Sequence, residues 1–101
     1  MKLLSLYGGL KMGSIVQESR FTGNDLNDCN YNSTFYISSN ALNSPGSFYD
    51  NGQLIVSKNQ DTAVQLAFSY KDSSVFKMRI GRYIGSEREE WLPWKTFKST
   101  D

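Results

Sequence analysis

Histidine is absent from this chain of 101 residues, cysteine occurs once, at Cys29, and charge of either sign is nearly cancelled by the other. Without histidine, neither a Ser-His-Asp nor a Cys-His arrangement can be assembled within the chain, and no Cys/His zinc set exists. A single thiol forms no intramolecular disulfide, so cysteine usage does not identify a redox compartment. The formal net charge is +1, from 11 Lys plus Arg against 10 Asp plus Glu, which leaves no global field to recruit nucleic acid or an anionic membrane. No stretch approaches the roughly 18 apolar residues that a membrane helix requires, so no membrane insertion is expected. The opening Met1-Lys2-Leu3-Leu4-Ser5-Leu6-Tyr7 has the flavour of a signal peptide, but Gly8-Gly9 and then Lys11 interrupt it, and it is not read as one. If the protein works outside its producing cell, it leaves by lysis or as part of a particle.

Hydrophobic residues are also scarce, at 39%, which leaves open that part of the surface is buried only in an oligomer. Aromatic residues are plentiful, at 14%, and suit a β protein with exposed ring faces. The length fits one domain. Most of the aromatic mass and the clearest periodicity lie in residues 62–97. In the first run Val64, Leu66, Phe68 and Tyr70 share one face and Ala63, Gln65, Ala67 and Ser69 the other. After the polar break Lys71-Asp72-Ser73-Ser74, a second run puts Phe76, Met78 and Ile80 together, with Val75, Lys77 and Arg79 opposite. A period of two predicts half-buried strands, and the four polar residues join them as a hairpin.

Upstream, residues 1 to 23 carry scattered apolar positions broken by Gly8, Gly9, Gly13 and Gly23, so short extended pieces near Leu3 to Tyr7 and Ser14 to Gln17 are expected, as a stem or an oligomer contact. Residues 24 to 101 form the body. Asn24 to Cys29 has the composition of a capped turn, and Thr34 to Ser38 is a strand with Phe35 and Ile37 on one face. Ser39 to Gly52 reads as a long loop closed by Asp50-Asn51-Gly52, with Leu42, Phe48 and Tyr49 pinning it to the body. The unbroken Leu54-Ile55-Val56 suggests a strand covered on both faces, and Asn59-Gln60-Asp61 turns the chain. Gly81 is a bulge position, and Ile84 to Glu90 is a solvated tip. Pro93 confines Trp91 to Phe97 to a sheet edge or a bulge. The expected class is all-β, a compact antiparallel sheet or sandwich with at most one short helical turn.

Asp25-Leu26-Asn27, then Phe35-Tyr36-Ile37 with its polar loop, the strand Gln53 to Ser57, Val64-Gln65-Leu66-Ala67, and Met78-Arg79 leading to Glu90-Trp91-Leu92-Pro93-Trp94 occur in an ordered set. Over residues 24 to 97 this set resembles the knob domain of R-type pyocin tail fibres, which also occurs near the C-termini of many bacteriophage tail fibres and tailspikes. The resemblance implies a virion component near the distal end of a fibre. It also implies a trimer in company with other tail-fibre or tailspike polypeptide, extracellular after lysis and concerned with binding the bacterial surface. Two departures stand out, the acidic run between Arg82 and Trp91 and the cysteine at position 29. The chain also looks like an excised or separately translated C-terminal product of a tail gene.

The carboxylate clusters Asp25 with Asp28, and Glu87 with Glu89 and Glu90, sit in capping and exposed settings where nothing raises a pKa, so they are read as structural and the chain as no enzyme. Asn24 to Asp28 lacks the glycine and distal glutamate of a calcium loop, and no metal or cofactor is expected. Basic residues alternate with acidic ones and form no nucleic-acid stripe. Carbohydrate binding needs ring faces with amides, carboxylates and guanidinium groups beside them. Of the six candidate rings, Tyr31, Tyr36, Tyr49, Tyr83, Trp91 and Trp94, the last is read as core, while Tyr49 and Tyr83 are read as exposed. The glycan candidates are therefore Tyr49, Arg79, Arg82, Tyr83 and Trp91, with the two arginines able to clamp an anionic sugar. Two classes remain, an oligomerising attachment domain and a carbohydrate-binding module of a capsule- or lipopolysaccharide-degrading tailspike.

Overall fold

The two alternating runs pair as their period predicts. In the computed structural model, which describes residues 20–84 and 88–101, strand β4 (Thr62–Phe68) runs antiparallel to β5 (Val75–Ile84), with Phe68 opposite Phe76 and Thr62 opposite Arg82. The connection is held by Asp72, whose Oδ1 accepts from Ser74 N at 2.9 Å and from Ser74 Oγ at 2.7 Å. On the other side of β4 lies β3 (Gln53–Lys58), turned into it by Asn59, whose Oδ1 accepts from the amides of Asp61 and Thr62. Next comes β2 (Ser33–Tyr36), antiparallel to β3, and then the short β1 (Arg20–Phe21), parallel to β2. At the opposite edge β5 has two successive partners, β6 (Arg88–Trp91) and β7 (Lys95–Lys98). Pro93, which has no amide to donate, falls in the gap between them. The result is a seven-stranded, mostly antiparallel sheet. Its only helical pieces among the described residues are two 3-10 turns, Leu26–Asp28 where a capped turn is expected and Ser47–Tyr49 inside the long loop.

One face of this sheet is covered by its own loops. Residues 24–32 and 37–52 fold back across β2 to β5, tied by Leu26 N to Leu42 O at 3.1 Å, Leu42 N to Asn24 O at 2.7 Å and Lys77 Nζ to Pro45 O at 3.2 Å. Beneath them lies a core of Leu26, Cys29, Phe35, Ile37, Tyr49, Leu54, Val56 and Ala67, against which Trp94 packs. Fully burying a large apolar side chain is worth about 1.5–3 kcal/mol, so Leu26, Phe35, Ile37 and Leu54, all under 2% exposed, dominate the stability. In β4 it is the small and polar side that faces this core, with Ala63, Gln65 and Ala67 at 0% exposure. The methyl side chains leave room for the loop backbone to lie close to the sheet.

Several expectations are corrected here. Only one face of β3 is covered, because Ile55 is 38% exposed while Leu54 and Val56 are buried. Of the three large side chains expected to pin the long loop, only Tyr49 is buried, since Leu42 and Phe48 are 64% and 39% exposed. Gly81 sits in regular register between Ala63 and Trp91 with no bulge, and a Cβ there would come within 2.7 Å of the Trp91 ring. The charged run from Arg88 is a strand paired to β5 in place of the expected tip, while its Glu90 is exposed as expected. Residues 20–22, within the stretch read as a stem, belong to the sheet: Thr22 N donates to Tyr36 O at 3.0 Å and Thr22 Oγ1 accepts from Ser38 N at 2.8 Å. The strands expected at Leu3 to Tyr7 and Ser14 to Gln17 lie outside the described residues.

Candidate functional site

The double-indole segment closes over an arginine. Trp91 ends β6, Trp94 precedes β7, and the guanidinium carbon of Arg79 in β5 lies 4.2 Å from the Trp91 ring centroid and 4.7 Å from that of Trp94. Arg79 is only 5% exposed. A cation in that setting needs compensation for lost hydration, and two ring faces, worth up to about 2 kcal/mol each when desolvated, share the task with a hydrogen bond from Arg79 Nε to Gln65 Oε1 at 2.8 Å. Register explains the meeting, since Gln65 lies opposite Arg79 and Trp91 opposite Gly81.

From Gln65 the bonding runs on into the loops. Its Nε2 donates to the carbonyls of Leu26 and Cys29, both at 2.8 Å, and its amide is fully buried. Trp94 Nε1 donates to Asn43 O at 3.0 Å, and Asn43 Nδ2 donates to Asp25 Oδ1 at 2.8 Å. That same oxygen accepts from Asn27 N at 2.9 Å and so caps the 3-10 turn. The loops, β4, β5 and the closing segment are thus joined through side chains. Asn43 holds a left-handed φ of 60°, a conformation that asparagine tolerates better than most residues.

Beside this assembly opens a cleft of about 480 Å³. It is lined by Trp91, Leu92, Pro93 and Trp94 of the closing segment, by Asn27, Asn43 and Ser44 of the loops, and by Arg79. Asn27 Oδ1, shielded from solvent, has no hydrogen-bond partner among the described residues, a state that costs an acceptor about 1–3 kcal/mol.

Of the five glycan candidates, the cleft unites two, Arg79 and Trp91. Tyr49 is not an exposed ring: it is 3% exposed, and burial together with the nearby Asp72 charge raises its phenol pKa. Arg82 lies on the opposite face of β5 from Arg79 and pairs with Glu90 at 2.9 Å, so the two arginines form no joint clamp. Tyr83 pairs through its backbone with Glu89, and its side chain lies outside what is described. Sequence reasoning did not single out Gln65 and Asn43. The signal for Gln65 was available, since counting back from the hairpin sets it across from Arg79. Asn43 has no such signal, because it reaches the site through a loop. Of the carboxylates, Asp25 caps a turn and Glu90 pairs with Arg82, while Glu87 lies outside the described residues. Among the described residues no three Cys, Asp or Glu side chains gather as metal ligands, and no helix is long and apolar enough to cross a membrane. Cys29, buried under the loops, donates to Thr22 O at 3.7 Å, and burial followed by the Asp28 charge pushes its thiol up to about 11.

The second face of the sheet carries the larger apolar side chains. Cross-strand register lines up Tyr36, Gln53, Phe68, Phe76 and Phe97 in one row, Thr34, Ile55, Leu66, Met78 and Lys95 in the next, and Ser57, Val64 and Ile80 in a third. Phe76 stacks on Phe97 with centroids 5.2 Å apart and meets Phe68 at 5.5 Å. Tyr36, Ile55 and Phe97 are 39%, 38% and 42% exposed, and the other large residues of these rows are half-buried. Comparisons of the chain with protein-family models, with curated proteins and with solved structures give no match.

Proposed function

We propose that this chain is a non-catalytic domain of the tail-fibre or tailspike type, which associates with copies of itself and promotes attachment to the bacterial surface. The observation that carries the reading is the open apolar sheet face. With strands about 4.8 Å apart and a rise of about 3.3 Å per residue, its rows span about 19 Å across five strands and about 13 Å along them. With side-chain margins that is about 400–500 Å², near the upper end for an apolar patch on a monomer. It would serve as the dry centre of an interface of about 800 Å² per partner, rimmed by Lys95, Arg82 and Glu90. A second copy is the occupant that this chain always has at hand, and a trimer is the closed form that the resemblance to tail-fibre knobs implies. The ordered motifs shared with tail-fibre knobs support the virion setting.

Mass measurement in solution across a concentration series tests the assembly half. The wild-type chain is expected as an oligomer, and Phe76→Asp or Leu66→Asp as a folded monomer, because neither side chain reaches the loop-covered core. A wild-type chain that stays monomeric at its highest soluble concentration refutes it. A whole-cell pull-down with the full chain tests attachment. The alternative, a carbohydrate-binding module of a capsule- or lipopolysaccharide-degrading tailspike, draws on the indole-lined cleft.

A further inference from the structure

We infer that Asn51 is a site of covalent self-modification, at which the Gly52 amide nitrogen displaces the side-chain nitrogen of Asn51, and that the folded turn holds this reaction back. Of the eight asparagines only Asn51 precedes a glycine, and a residue without a Cβ leaves its nitrogen open to the side-chain carbonyl before it. Asn51 is also exposed to the water that the reaction consumes. A bond forms between Gly52 N and Asn51 Cγ, the bond from Cγ to Nδ2 breaks, and Nδ2 leaves as ammonia with the proton from Gly52. Water then opens the cyclic imide at either carbonyl, giving aspartate or isoaspartate with no change of oxidation state. This chemistry is independent of the assembly and attachment readings.

Three features of the fold act as the brake. First, Asp50, at φ −57° and ψ 140°, and Asn51, at φ 67°, are the two corners of a type II turn closed by Gly52 N donating to Tyr49 O at 3.0 Å. The Gly52 nitrogen attacks only after shedding its proton, and shedding it here sets a bare nitrogen against the Tyr49 carbonyl oxygen. Second, the main chain on both sides is pinned to one residue, with Asn51 N donating to Ile37 O at 2.9 Å and Ile37 N to Gly52 O at 3.0 Å. The torsion that would swing the Gly52 nitrogen towards the side chain is therefore held. Third, Asn51 Oδ1 accepts from the Tyr36 hydroxyl at 2.9 Å, which tethers the amide by its oxygen. All three are released together when residues 49–52 lift away from Tyr36 and Ile37, a local opening. The isoaspartate product does not regain this turn. It adds a methylene to the main chain beside Gly52, where even a Cβ would run into the Phe68 carbonyl oxygen. A chain that has once opened for long enough is thereby marked.

The test holds the full chain at mildly alkaline pH, with and without unfolding urea, and follows the conversion of amide to acid by intact mass and peptide mapping. The folded chain is expected to convert at least about tenfold more slowly than the unfolded one, a factor that corresponds to about 1.4 kcal/mol and so to one retained hydrogen bond. Tyr36→Phe, which keeps the ring and removes the hydroxyl, is expected to raise the folded rate severalfold and to leave the rate in urea unchanged. Asn51→Gly, which suits the left-handed φ, should abolish the conversion. Should Tyr36→Phe fail to fold, the wild-type rate is followed across the urea transition, where it is expected to climb as the turn opens and where a flat rate refutes the brake. The inference is overturned if folded and unfolded chains convert at one rate, if the new acid maps to another asparagine, or if folded Tyr36→Phe converts no faster than wild type.

Discussion

Replacing Gln65 by leucine isolates the contribution of the buried polar joint, because the two side chains are close in volume and the change removes hydrogen bonds with little change in bulk. Gln65 is 0% exposed and makes three bonds, two donated to the carbonyls of Leu26 and Cys29 and one accepted from Arg79 Nε, all at 2.8 Å. The Leu26 carbonyl keeps its bond from Cys29 N at 3.1 Å and loses little. The Cys29 carbonyl and the Arg79 Nε–H lose their Gln65 partner beneath the loops. At about 1–3 kcal/mol for each buried group deprived of a partner, and more for a charged one, the loss comes to about 3–5 kcal/mol, a large share of the 5–15 kcal/mol that holds a typical domain together. Gln65→Glu should fall between leucine and wild type, since a carboxylate keeps the bond to Arg79 in stronger form but turns an oxygen towards two carbonyls. Urea unfolding with linear extrapolation measures all three. A loss below about 1 kcal/mol for Gln65→Leu, with an unchanged slope, would refute the view that this joint ties the loops to the sheet.

Two further outcomes follow from the same packing. Gly52→Ala and Gly81→Ala both introduce a methyl without room, but Gly52 meets the Phe68 carbonyl oxygen, which is backbone, whereas Gly81 meets the movable Trp91 ring. Gly81→Ala should therefore cost about 1–3 kcal/mol and shift tryptophan emission, and Gly52→Ala should cost more with little spectral change; the reverse order in urea unfolding would contradict the register. For Cys29 the folded thiol is raised from 9.0 to about 11, so the neutral form stabilises the fold below pH 9 and that contribution is lost as the pH climbs through about 11. The stability gap between wild type and Cys29→Ala should accordingly narrow by up to about 3 kcal/mol over that window. Cys29 should resist thiol reagents in the native state at neutral pH.

Much of the sheet was legible because strand alternation and turn chemistry are local. The β4–β5 hairpin, the Asn59 turn, the Asp25 cap and the edge position of the Pro93 segment all rest on neighbours within a few residues. What alternation does not tell is which side of a strand is covered. In β4 the side bearing Val64, Leu66 and Phe68 is the more hydrophobic, yet the loops lie on the side of Ala63, Gln65 and Ala67, where small residues let the backbone approach. Hydrophobicity alone argues for the opposite choice, and only the low apolar content hinted that a face would stay open. Arg79 was readable as a strand residue but not as a buried one, because its environment comes from Trp91, Trp94 and Gln65 together. Tyr49 was misplaced for the same reason, since its loop context conceals the long-range packing that encloses it.

The bond from Trp94 to the Asn43 carbonyl ties positions 51 residues apart, and it sets a time as well as a place. During synthesis the strands and loops are made well before the segment that fastens them, so the chain spends that interval with its arginine still waiting for both indoles. Loop closure over such separations is slow. The closing segment is accordingly the last of these pieces to dock, and a chain cut before Trp94 loses both the bond to the Asn43 carbonyl and one of the two rings against Arg79.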